Sequence, residues 1–124
     1  MTERYNGSKT LFASAARTAT ANGSDIRNWT GRGAHITIDT TAAGTSPSTT
    51  FTVQGKDNTS GVYYTILASA AITGTGTVVL RIYPGLTASA NTVANDILPD
   101  TWRVIATHGN STSHTYSVGA SVIN

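Results

Sequence analysis

Three histidines and six acidic residues are all that this 124-residue chain offers for moving protons or holding metals, and it has no cysteine. Without cysteine there is no disulfide, no thiol nucleophile and no zinc ribbon. His35 and Asp39 share one face of an alternating run, but four residues of strand span about 13 Å, too far for one ion. His108 and His114 flank Gly109-Asn110, which reads as a hairpin turn, so both are expected as surface imidazoles beside it. Asp25, Asp57, Asp96 and Asp100 lie in or beside polar segments. A calcium loop clusters its oxygen ligands, and these are dispersed; Asp57-Asn58-Thr59 is the nearest approach to one. There is no Gly-x-Ser-x-Gly elbow, and Gly31-Arg32-Gly33 is too short to cradle a phosphate. The expectation is no catalytic residue, no metal and no cofactor: a binding protein and not an enzyme.

Binding chemistry points to the cations and aromatics of the first third. Arg4, Lys9, Arg17, Arg27 and Arg32 lie there against only Glu3 and Asp25, while the rest of the chain is nearly neutral. Such a basic leader can dock on an acidic neighbouring surface. Trp29 sits in a Gly-rich loop, where an indole either plugs the end of the fold or meets a partner. Arg4, Lys9, Arg17, Arg27, Trp29 and Arg32 are therefore the expected partner-binding residues. Tyr63 and Tyr64 are consecutive, so on a strand they point to opposite faces and one of them leaves the core. An exposed Trp29, Tyr63 or Tyr64 would also make a stacking platform for a sugar.

The formal charge is only +2, with 11% charged residues. No dense basic stripe of the nucleic-acid-binding kind is visible. No window approaches the roughly 20 apolar residues of a membrane span, and MTERYNGSK lacks the apolar core of a secretory signal. No nucleic-acid or membrane partner is expected.

The elements that must position these residues are short Thr/Val/Ile/Tyr runs closed by Gly, Ser, Asn or Pro, the composition of a pleated, half-buried surface. Ile36 and Ile38 alternate with His35, Thr37 and Asp39; Phe51 and Val53 alternate with Thr50, Thr52 and Gln54. The polar loop 57–61 joins that run to residues 62–67, as in an antiparallel hairpin. Residues 77–83 form the most apolar run and stop at Pro84-Gly85. Trp102, Val104 and Ala106 share a face, as do Tyr116, Val118 and Ala120. This spacing predicts an all-β, antiparallel, jelly-roll-like β-sandwich of about seven or eight strands. It divides the chain into an irregular N-terminal arm, residues 1–14, and one sandwich domain, residues 15–124, opened by a strand from Ala15 to Asn22.

From Arg17 onward the chain resembles small virion proteins of tailed bacteriophages. The resemblance rests on RTATANGSDI, ITIDTTAAGTSPSTTFTVQGKDNTSGVYYTIL, AAITGTGTVVLRIYPGL, LPDTWRVIATHG and TYSVGASV. It implies a structural component of the particle, similar to capsid decoration (cement) proteins, made in the bacterial host cytoplasm and placed on the capsid surface. The implied partner is the major capsid protein, engaged by a homo-oligomer, with a trimer favoured. A place in the tail or head–tail junction, or a carbohydrate-binding adhesin module, are the alternatives.

Overall fold

A computed structural model describes residues 7–124, and Arg4 lies outside them. The described residues form ten strands: β1 (Gly7–Arg17), β2 (Ala21–Asn22), β3 (Ile26–Arg27), β4 (Gly33–Ala43), β5 (Thr49–Lys56), β6 (Tyr63–Ala68), β7 (Gly76–Ile82), β8 (Val93–Ala94), β9 (Thr101–His108) and β10 (His114–Ile123). One sheet runs β1-β10-β4-β7-β8; the other runs β2-β9-β5-β6, with β3 also on β9. All pairings are antiparallel except β7 with β8. The expected all-β sandwich is the fold that forms. Its strand count exceeds the expectation because β2, β3 and β8 are two-residue strands, too short to leave an alternation in the sequence.

The core follows from register. Ile36 lies between Leu80 and Ala120, and Ile38 between Val78 and Val118. In the facing sheet Phe51 pairs with Ala106 and Val53 with Val104. Apolar side chains thus meet in continuous rows across each sheet, and the two inner faces pack against each other as one core. Trp102 is fully buried and sits opposite Gly55. Gly33 fills a tighter place, because a Cβ there would strike the backbone carbonyl oxygen of Ile82. Replacing Gly33 with Ala must push β4 from β7, and overpacking of this kind costs about 1–3 kcal/mol. Urea denaturation of Gly33→Ala should show that loss, whereas Gly74→Ala, with open space around it, should change stability far less.

Two expectations are corrected. Residues 7–14 are not irregular: they belong to β1, which pairs with β10 from Gly7↔Val122 to Arg17↔His114. The run hides from a pattern search because Phe12 is its only buried side chain, and register shifts between Thr10 and Phe12 and between Phe12 and Ala15 break the two-residue period. Nor does one strand run from Ala15 to Asn22, because residues 18–20 separate the end of β1 from β2 and carry the chain to the other sheet. The turn between His108 and His114 is also no hairpin. β9 and β10 belong to different sheets, so this connection crosses the sandwich and carries both imidazoles to the inter-sheet space.

Candidate functional site

Hydrogen bonds stitch several loops together at one end of the sandwich. The Asn28 side chain accepts from the Gly31 amide (2.9 Å) and donates to the carbonyls of Gly31 (2.8 Å) and Leu98 (3.1 Å). The Leu98 amide donates to the Arg32 carbonyl, and the Arg32 amide to that of Ile123. From the β5–β6 loop, Asn58 donates to Asp100 (3.1 Å) and to the Thr101 hydroxyl (2.9 Å). Asp100 in turn pairs with Arg27 at 2.9 Å, and the Arg27 guanidinium lies 4.5 Å from the centre of the Trp29 ring. An exposed ion pair contributes little stability. Here it fixes the cation that fixes the indole. Trp29 is 78% exposed, and Ile97 and Val62 project from the same group of loops at 63% and 58%.

Between β1 and the 25–29 segment lies an open recess of about 440 Å³, walled by residues 9–11 on one side and by Asp25, Ile26, Arg27 and Trp29 on the other. Asp25 accepts from the Tyr63 hydroxyl (2.8 and 3.0 Å) and pairs with Lys56 (3.0 Å). The Tyr63 hydrogen bond first, then that from Lys56, holds the Asp25 carboxyl below its usual range, and the same carboxylate raises the Lys56 ammonium. Arg103 stacks 3.5 Å from the centre of the Tyr63 ring and donates to Gln54 at 2.9 Å. Tyr63 is thereby on the outer face, while Tyr64, 46% exposed, lies over Gly55 at the sheet rim. The consecutive tyrosines do diverge.

The structure divides the expected partner-binding residues. It brings Lys9, Arg27 and Trp29 to the one recess. Arg32 is exposed nearby, with its backbone bonded to Ile123 and Leu98. Arg17 goes elsewhere. Its guanidinium donates to the carbonyls of Ala13 (2.8 Å), Ala15 (3.3 Å) and Tyr116 (3.1 Å), and it lies over the rings of Phe12 and Tyr116. It closes the edge of the core.

A buried polar cluster was missed by sequence reasoning. His114, expected on the surface, is fully buried. Its Nε2 is 2.9 Å from the Gly74 carbonyl and its Nδ1 is 2.9 Å from the Thr49 hydroxyl. A carbonyl can only accept, so Nε2 carries the hydrogen and Nδ1 of the neutral ring accepts from Thr49. His108 Nε2 is 2.9 Å from the Tyr116 hydroxyl. Burial first, then His114 and Arg17, lowers the His108 pKa, and burial raises that of Tyr116. The signal was present: His114 has the same parity as Tyr116, Val118 and Ala120, the inward face of β10. Among the described residues no three His, Asp or Glu side chains come together as metal ligands.

No protein-family model matches this chain, and no curated protein matches it. Among solved structures, a chain in the structure of infectious bursal disease virus, Gx strain, aligns with 95% of this chain at 11% identity and a TM-score of 0.40. The present chain spans only 32% of that one. A likeness this slight assigns neither fold nor function.

Proposed function

We propose that this chain is a virion structural protein, specifically a capsid decoration protein that binds the major capsid protein of a tailed bacteriophage and stabilises the assembled lattice. The observation that carries the reading is the loop end itself. Trp29, Val62 and Ile97 are the most exposed large apolar side chains among the described residues, with Tyr64 next at the rim. All of them stand on loops or strand ends held together by the Asn58–Asp100–Arg27 and Asn28–Leu98 contacts. Aromatic and aliphatic side chains held rigidly in water are poor for a solitary domain and suited to a protein interface. The cadence shared with phage virion proteins agrees with this.

Such a protein acts by linkage. It binds the assembled shell and not the free subunit, so its binding free energy stabilises the shell. Assembly as a homo-oligomer, a trimer by preference, multiplies weak contacts. Added to expanded capsids of the encoding phage, the purified protein should co-sediment at high copy number, which also separates a capsid position from a tail or head–tail one. Trp29→Ala should weaken binding by about 2 kcal/mol or more, as for a central interface tryptophan. Absence from the pelleted capsids at micromolar concentration would overturn the reading.

A further inference from the structure

We propose that the first half of β1 and the recess beside it receive an extended acidic segment of the partner, which adds to the sheet as a strand. This rests on the decoration reading and names the chemistry of its contact. β1 is eleven residues long and, among the described residues, terminates its sheet with β10 as its one neighbour. A free edge of that length presents unpaired amide and carbonyl groups, a template for another strand unless blocked. It is blocked only in part. Arg17 occupies the carbonyls of Ala13 and Ala15, leaving Gly7–Phe12 as the open stretch.

That stretch is the one bordering the recess, since residues 9–11 form a wall of it. The charges there are not balanced. Asp100 holds Arg27 and Lys56 holds Asp25, whereas Lys9 enters neither of the two ion pairs among the described residues. The only charged residues of β1 are Lys9 and Arg17, both cations. An unpaired ammonium beside Leu11, Ile26 and the exposed Trp29 ring suits a carboxylate flanked by an apolar side chain. On an added strand, residues i and i+2 face the same side about 7 Å apart. The matching segment therefore carries an acidic and an apolar residue two positions apart, a complementarity that sets partner choice.

Two measurements test this. The probe is a blocked heptapeptide alternating threonine with valine and glutamate, with a control in which lysine replaces glutamate. Titrated into the labelled protein, the acidic peptide should move the Trp29 indole resonance and slow amide exchange over Gly7–Phe12, leaving the buried Trp102 indole in place. Lys9→Glu should weaken acidic-peptide binding by about tenfold and favour the lysine peptide. Equal response to both peptides, or no response at residues 7–12, would overturn the proposal. In the second measurement Lys9→Glu and wild type are co-sedimented with expanded capsids. Wild-type binding lost in the variant supports the contact. Equal binding of the two refutes the contact while leaving the decoration reading standing, and failure of wild type to bind refutes that reading whatever the peptides do.

Discussion

Replacing Tyr116 with Ala is expected to destabilise the protein by about 3–5 kcal/mol, the range for deleting a large buried aromatic. That is a large share of the roughly 5–15 kcal/mol available to a domain. Tyr116 is fully buried and has the largest side chain of β10. Its ring meets Phe51 edge-on at 4.9 Å, Phe12 at 6.2 Å and His114 at 6.1 Å, with Arg17 4.8 Å above it. These residues come from β1, β5 and β10, so the ring ties the two sheets together and fastens the edge strand. Tyr116→Phe keeps the ring and removes only the hydrogen bond to His108, a loss of about 1 kcal/mol. Urea denaturation of both variants separates packing from hydrogen bonding. If Ala cost no more than Phe, the ring would not be the fastening that its contacts describe. The same substitution should loosen β1 locally, because Phe12 and Arg17 both lean on this ring; amide exchange over residues 7–17 would report it.

Much of the fold was legible because it is written in period two. The inward sets of β4, β5, β9 and β10 could be read directly, since one face of each central strand carries an apolar run that polar Thr40, Thr49 and His114 interrupt only toward the strand ends. β1 could not, because an edge strand needs few inward anchors and its bulges shift the period. The candidate site was half legible. Composition drew attention to Lys9, Arg27 and Trp29, and folding gathers them around one recess. Arg17 looked identical to them in composition, yet it serves the core, because only the register of β1 on β10 places it over Tyr116. Val62 and Ile97 were not legible at all. Their exposure depends on which loops meet at one end, which is a property of strand order and not of local sequence.

Acidification should weaken the fold in two separate windows, and the upper one belongs to His108. His108 has its pKa lowered in the folded protein from the ordinary 6.5, by burial and by the nearby His114 and Arg17. A lowered folded value means that the unfolded chain binds the proton more readily. Stability from this group is therefore complete above about pH 6.5 and declines as pH falls from there through the folded value. The slope for one proton is at most about 1.4 kcal/mol per pH unit, and less here, because the ring is partly open to solvent. The surroundings explain the direction. Arg17 from β1 is the fixed charge over Tyr116, His114 is the other titratable ring against it, and no carboxylate hydrogen-bonds to either imidazole among the described residues. The lower window belongs to Asp25 and Asp57, whose carboxyls are held below their ordinary 3.8 by hydrogen bonds from Tyr63 and Ser60 in turn. Their contribution is present above that value and lost as pH falls beneath it. Urea midpoints measured between pH 7.5 and 5 should thus fall in wild type and flatten in His108→Gln, while the loss below pH 4 persists in both. A midpoint that stays level in wild type from pH 7.5 to 5 would contradict the assignment. A slope unchanged by His108→Gln would move it to another group.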